Sequence, residues 1–560
     1  MRVTSQMLTT NMMNNVNRNK INMNKKGDRY ATGQAIQKPS DDPVVAVRTL
    51  KYRSQLTKIE QYLDTNIPEA LSWMEITEEA LMGVSELVRN INTYCNQGVN
   101  SYYELTDRNS IVSTLEEYKA QIFDLGNTDY AGRYVFTGYR TDTPLMFEEA
   151  TNPAEGKSPS WTTYNITENL HYTDVTAKSY IAGGAEYDAG KTTTADEYAA
   201  MAPSLGSANR LQLSYGNLDA VNSLKLTDKN GNNLIITTTG TVDKEGPDGQ
   251  KVQAPVVKAE DGTVIDDGTA GFKLVSKSMA DYNNIKPDAY ATVEAYNTAR
   301  DAANPYNAGP NEVVYIEETG ELILGSNVMA SAAVYTDISV NFDKTEFAKG
   351  DLRPEHYFEC STDYYLAGDP NSKEHINYAE PGVQEIQYEL NTNQKLTVNT
   401  LAKDSLSTSL VTKIDEIIQS VNSVFDIKDQ ITEAKKTLQN ASTEEEKAAI
   451  NSYIAQLETE EVLRTQILTE SFSSALTTTQ KAQEKTDEAV ADIGSRYLRG
   501  QLIESRLEEQ KTTVTELLSD IFYVDLEDAI VEYNAAQVYY NASLMCASKV
   551  VQQTLLDYLR

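Results

Sequence analysis

The sequence predicts a mainly α protein with a β-rich insert, in which N- and C-terminal helices pair into a coiled-coil-like rod carrying a central β-rich domain. Three observations predict it. Both ends hold long stretches with apolar residues at heptad spacing, the middle is rich in Tyr, Gly and Thr and alternates between turn signals, and the two ends carry opposite charge. Helical ends on either side of such a middle suit an assembling subunit better than an enzyme. Residues 1–40 and 520–560 are then terminal assembly helices, disordered in the monomer. Residues 41–148 and 400–519 form the helical rod, and 149–399 a variable outer insert of one or two modules.

Within the rod, Ile67, Met74, Leu81, Val88 and Cys95 recur every seven residues, with Ala70, Thr77, Val84, Ile91 and Gly98 in the offset position. Pro68, just after Thr65 and Asn66, fits a first helical turn, so a break is expected between this helix and one running from Asp42 to Tyr62. At ~1.5 Å per residue the second helix is roughly 45 Å long. A third carries Arg108, Ile111, Leu115, Tyr118, Ile122 and Leu125 on one stripe and stops at Gly126-Asn127.

The C-terminal half answers with Ile493, Gly500, Leu507, Val514 and Ile521, and with Ile503, Leu517, Val524 and Val531 in the offset position. Arg496 and Gln510 interrupt that second row, which suits a mixed bundle more than a long autonomous dimer. Lys435–Glu460 reads as a helical hairpin turning at Asn440-Ala441-Ser442-Thr443, with Ser442 or Thr443 ahead of Glu444–Glu446 as a helix start.

The extreme termini are thinner. Leu8, Met12, Val16 and Met23 stand in a background of Asn11, Asn14, Asn15, Asn17, Asn19, Asn22 and Asn24, and Asn is a poor helix former. Val538, Ala542, Met545 or Leu544, Val551 and Leu555 make a matching stripe near the other end. Helices with so little apolar surface fold against a partner. Charge favours the pairing: residues 1–40 hold seven basic residues against Asp28, net +6, and residues 520–560 hold six acidic against two basic, net −4. The candidate assembly residues are accordingly Leu8, Met12, Val16, Met23, Leu544, Val551 and Leu555.

The chain of 560 residues has a net charge of −33, which argues against non-specific nucleic-acid binding. Its cysteines, Cys95, Cys360 and Cys546, lie far apart in no metal spacing and read as small buried apolar residues, so no disulfide framework is expected. Polar residues interrupt every apolar run in the first forty positions, which predicts no cleaved signal peptide, and no run of eighteen apolar residues predicts membrane insertion. These signals alone describe a cytoplasmic protein.

In the insert, Asn230-Gly231 between Leu224, Leu226 and Leu234, Ile235, Ile236 is a hairpin signal, as are Asp261-Gly262 and Thr319-Gly320. Ile386, Tyr388 and Leu390 alternate near the return to helix. A module boundary is expected near Leu205–Leu213, and Tyr282–Pro310 is a loop or a short helix. Chemistry is thin. His171, His356 and His375 have no second histidine at helical spacing, so H-E-x-x-H is absent, as are G-x-S-x-G and C-x-x-C. Gly190-Lys191-Thr192 comes nearest a phosphate loop, but Ala185 stands where its first Gly is required. Asp228-Lys229-Asn230-Gly231-Asn232 is better read as a turn than as a calcium loop. No catalytic residue, metal or cofactor is assigned.

Thr32-Gly33 through Lys38-Pro39-Ser40-Asp41-Asp42-Pro43 has a local logic: a helix ends at Gly, the chain turns, Ser40 or Asp41 can cap, and Pro43 sits in the next first turn. This stretch resembles the signature of the flagellar axial proteins, and its K-P-S-D-D-P form resembles the hook-associated protein 3 family. Asn127–Gly138, with Gly132-Arg133 at its centre, and the C-terminal Leu526–Ile530, Tyr539–Leu544 and Leu555–Leu559 are similar to the same family.

The resemblance covers roughly residues 1–147 and 480–560. It implies a flagellin-like, non-enzymatic subunit, exported without a cleaved signal through the flagellar type III apparatus and placed extracellularly at the hook-filament junction. Its implied partners are the first hook-associated protein, flagellin, further copies of itself in a ring, and an export chaperone. Two alternatives stand beside it: a divergent flagellin, or an adhesive, glycan-binding module in the insert using some of the 34 tyrosines. The insert and the 435–460 hairpin lie outside the resemblance.

Overall fold

Heptad spacing at both ends produces the long helices it predicts. In the computed structural model, which describes residues 5–557 except 101, 152–160, 185–193, 232, 238–240, 246–250, 256–270, 287–288, 366–372 and 380–381, helices α1 (Ser5–Thr32), α2 (Pro43–Gln61), α3 (Ile67–Val99) and α4 (Leu105–Gly126) come first. Two short strands follow, β1 (Asp129–Tyr130) and β2 (Arg133–Tyr134). The insert then runs β3 (Trp161–His171), β4 (Thr176–Ala182), α5 (Ala195–Ala200), β5 (Ser204–Gln212), β6 (Ala220–Thr227), β7 (Asn233–Thr237), β8 (Thr241–Glu245), β9 (Lys251–Pro255), β10 (Lys273–Lys277), α6 (Met279–Asn283) and α7 (Val293–Ala303). It continues with β11 (Glu312–Ile316), β12 (Glu321–Leu324), α8 (Ser326–Tyr335), β13 (Asp337–Lys344), β14 (Glu359–Tyr365), β15 (Lys373–Tyr378), β16 (Gln387–Asn391) and β17 (Gln394–Thr397). The chain closes with α9 (Ala402–Ser405), α10 (Thr408–Asn440), α11 (Glu444–Phe522) and α12 (Leu526–Asp557).

The chain forms two compact units: residues 1–72, 387–398 and 495–560 in one, and 73–386 with 399–494 in the other. In the larger unit, the α3 seam is sealed. Met74, Thr77, Leu81, Val84, Val88, Ile91 and Cys95 are all buried. Asn92 Nδ2 donates to Thr479 Oγ1 at 2.6 Å and Ser85 Oγ to Asp487 Oδ1 at 2.7 Å, which lays α3 along α11. Lys119 Nζ meets Asp415 at 2.6 Å and ties α4 to α10. Gly98 is required for this fit, because a Cβ there would stand 2.5 Å from the Phe472 ring.

The insert builds a six-stranded antiparallel sheet, β15-β14-β3-β13-β6-β7, and a five-stranded sheet, β10-β11-β12-β5-β4, in which only β10 and β11 pair in parallel. The hairpins expected at Asn230-Gly231 and Thr319-Gly320 are β6–β7 and β11–β12. Those at Asp261-Gly262, and Gly190-Lys191-Thr192, lie outside the described residues. The boundary expected near Leu205–Leu213 is instead strand β5, hydrogen-bonded on both sides within one sheet. The 435–460 hairpin also acquires a place in the fold: Ile427, Ile431, Ile450, Tyr453, Ile454 and Leu457 on α10 and α11 bury Tyr198 of α5 and Tyr296 of α7.

A break at Pro68 does not occur. Residues Tyr62–Asn66 form a π turn that joins α2 to α3 without interruption, and Asn66 Nδ2 donates to Glu389 O of β16 at 2.7 Å. Such a turn inserts one extra residue, which accommodates a proline that cannot donate to the preceding turn. Cys95 and Cys360 are buried, and burial pushes the Cys95 thiol up to about 12. Cys546 is exposed, contrary to expectation, because it falls off the buried side of α12.

Candidate assembly site

The chain ends meet in the smaller unit, where α1 and α12 run antiparallel. On α1 the inward residues Met12, Val16, Asn19, Met23 and Lys26 are half-buried at spacings of three and four. On α12 they face Ala529, Tyr533, Ala536, Tyr540, Ser543 and Ala547, which alternate small and aromatic residues. Small residues let a helix approach closely, and the Tyr533 ring lies against Gly27 of α1, where a Cβ would stand 3.1 Å from it. The Tyr30 and Tyr533 rings stack with centroids 6.1 Å apart. Lys26 pairs with Glu532 and holds that carboxyl below its ordinary value, so opposite charge does bring the ends together at one point.

Two turns clasp each other at the base of this pair. Gly33, with φ of +67°, ends α1. Ala35 N then donates to Phe522 O at 2.8 Å, and Val524 N to Gly33 O at 2.9 Å. Arg53 on α2 lies 4.2 Å over the Phe522 ring. In the signature turn, Asp42 caps α2, accepting from Val44 N and Val45 N at 2.9 and 3.1 Å; Ser40 and Asp41 were the expected caps. Asp41 instead accepts from Lys38 N at 3.1 Å and pairs with Lys25 at 3.3 Å, and both hold its carboxyl low. Pro43 occupies the first turn as expected.

Gly132 and Arg133 form a second signature point in the larger unit. Ala131 and Gly132 both have positive φ, the requirement of a two-residue hairpin turn, and Gly132 N donates to Asp129 Oδ2 at 2.9 Å. The turn sets the Arg133 guanidinium 4.9 Å over the Trp73 ring of α3, with Tyr130 edge-on to Trp73.

Of the candidate assembly residues, Met12, Val16 and Met23 lie in the α1–α12 seam, whereas Leu8 is 52% and Leu544 41% exposed. The backbone of α12 includes Val551 and Leu555, but their side chains lie outside the described residues. A second row is uncovered: Val531, Val538 and Met545, seven residues apart and each more than 60% exposed, so Val538 and Met545, expected in the stripe that matches α1, lie outside the seam. Val44, Val47 and Leu50 on α2 and Leu498 and Leu502 on α11 are similarly bare. The seven-residue recurrence was the signal for the α12 row, but the same recurrence in the small residues hid which face pairs within the chain.

The tyrosines of the insert follow a different pattern. Tyr164, Tyr198, Tyr215, Tyr282, Tyr296, Tyr315 and Tyr357 are buried, and none of the insert tyrosines whose side chains are described is fully exposed. Among the described residues, no group of three or more His, Cys, Asp or Glu is arranged to hold a metal ion, and no helix is long and apolar enough to cross a membrane.

Residues 3–141 match the bacterial flagellin N-terminal helical region. The chain is 27% identical over 150 residues to flagellar hook-associated protein 3 of Escherichia coli (strain K12), which is 27% of this chain and 47% of that protein. It is 27% identical over 163 residues to flagellar hook-associated protein 3 of Salmonella typhimurium, 29% of this chain and 51% of that one. The chain thus spans about half the length of the curated relatives it matches. Among solved structures, Xanthomonas campestris FlgL aligns over 84% of this chain and 99% of its own at 11% identity, with a TM-score of 0.26, a likeness too loose to argue from. Residues 3–141 thus carry a flagellin-type N-terminal helical region, and over about half of their length the flagellar hook-associated proteins 3 of two bacteria are similar to this chain.

Proposed function

We propose that this protein is a structural subunit of the bacterial flagellum that forms the hook-filament junction between the first hook-associated protein and flagellin, and that it catalyses nothing. The observation that carries this reading is the uncovered Val531, Val538 and Met545 row on α12, beside a seam that already satisfies the small-residue face. Apolar rows of this kind on helices α2, α11 and α12 suit burial against further copies and against neighbouring flagellar subunits. Leu8 and Leu544 belong to the same assembly surface on this reading, with Val551 and Leu555 continuing it. Residues 1–40 and 520–560 then act as the assembly helices and 149–399 as the outward insert. Export follows the flagellar type III route without a cleaved signal, with a chaperone covering part of α12 beforehand, and the product is extracellular.

Antibody labelling of intact flagella in the electron microscope tests the reading. A single narrow band where hook meets filament is expected; absence of label from flagella sinks it. The match to the flagellin N-terminal region favours one second reading, a divergent flagellin, for which label runs along the whole filament.

A further inference from the structure

Strand alternation places Glu168 on β3 in phase with Tyr164 and Ile166, on the buried side of the six-stranded sheet, and it is only 4% exposed. Its two oxygens accept from Ser214 N at 3.0 Å and from Ser214 Oγ at 2.7 Å. Ser214 Oγ in turn lies 3.0 Å from Thr408 Oγ1, in the first turn of α10. One hydroxyl therefore links the insert's sheet to the helical hairpin, and Glu168 orients it.

Glu168 and Glu416 line the same cavity of about 480 Å³ between the sheets and helices α10 and α11. Their surroundings are opposite. Glu416 is met by Lys178, by Arg210 at 3.0 Å and by Lys413 at 2.5 Å, and these cations hold it ionised well below the usual carboxylate range. Lys178 and Arg210 also face Glu321, which takes up the rest of their charge. Glu168 has no described cation within ion-pair distance. The turn after β3 brings Asp174 toward it, a like charge, and α11 contributes Glu470 and Lys481 to the cavity wall without an ion pair to Glu168.

We propose that Glu168 is a proton-operated latch between the insert and the α10–α11 hairpin: protonated, it holds β3, Ser214 and the start of α10 together, and ionised, it leaves an unpaired buried charge that loosens this seam. The cavity gives water and protons a route to it. Burial pushes the Glu168 carboxyl up to about 7 from an ordinary 4.5, against the two Ser214 hydrogen bonds that lower it. Because the folded value is the higher one, the stabilisation is complete below about 4.5 and is lost as pH rises through about 7.

Hydrogen exchange of the full chain, corrected for intrinsic rates and followed by mass spectrometry over peptides spanning 204–215 and 405–415, tests the latch. The local-opening equilibrium of the wild type is expected to rise on the order of a hundredfold between pH 5 and pH 8. In Glu168→Gln, which does not titrate and whose Oε1 can accept from Ser214 N while its Nε2 donates to Ser214 Oγ, the same peptides are expected to show no such rise. Equal pH dependence in the two proteins, or none in the wild type, overturns the proposal. Ser214→Ala supplies a second arm: it removes the bridging hydroxyl, so the same peptides are expected to open more at pH 5 than in the wild type, and exchange unchanged at pH 5 overturns the latch even if Glu168→Gln does not fold.

Discussion

Two helix pairs join the halves of this chain, and they are built on opposite terms. The α3–α11 pair buries an unbroken apolar row and has side-chain hydrogen bonds along its length. The α1–α12 pair buries three medium-sized residues against alanines, a serine and two tyrosines, and leaves a whole apolar row of α12 in water. The first is a finished core. The second is half of one, and the difference teaches that heptad spacing marks where burial is wanted without saying whether the same chain supplies it.

The largest expected effect comes from damaging the finished seam. Leu81→Ala is expected to cost about 2–5 kcal/mol, read as a lower urea midpoint of the transition that exposes Trp73, because a fully buried leucine leaves a cavity. Gly98→Val drives a side chain into Phe472 and is expected to cost about 1–3 kcal/mol or more by the same assay. If either matched the wild type, the contrast between the pairs would collapse.

The half-built pair is expected to behave otherwise. Val531→Asp with Val538→Asp should change the melting of the isolated protein by no more than about 0.5 kcal/mol while abolishing incorporation into flagella, since both side chains are exposed. Normal incorporation of that double variant breaks the comparison. At its base, Asp42→Ala removes the cap of α2 and is expected to cost about 1 kcal/mol, visible as faster amide exchange at Val44 and Val45. Smallest is Lys26→Ala: this partly exposed pair with Glu532 is expected to contribute under about 1 kcal/mol, and the effect should fade in high salt.

Much of this was legible. Every member of the Ile67–Gly98 double row is buried, because seven-residue recurrence in a long uninterrupted segment has one physical solution. The orientation of α12 was not, because it carries two heptad rows, and sequence reading favours the larger side chains of Val538 and Met545 over Ala529, Ala536 and Ser543. The residues of α12 that are covered beside α1 are the small ones with two tyrosines, and that is visible only once the helices are side by side. Val531, placed in the α11 register by its spacing, falls outside it because the turn at Tyr523–Asp525 resets the phase. In the insert, hairpins with local turn signals were readable, whereas the pairing of β13 with both β3 and β6 joins distant segments and has no local signature. Glu168 did leave one: a carboxylate on the apolar phase of an alternating strand.

The clasp between the turns after Gly33 and before Val524 also sets a clock. Lys26 and its partner Glu532 are 506 residues apart, so at a ribosomal pace of about 5–20 residues per second the first helix waits roughly 25–100 s before its counterpart exists. Every residue of the larger unit has been synthesised before that pairing can begin, and α1 is therefore among the first segments made and the last to be closed.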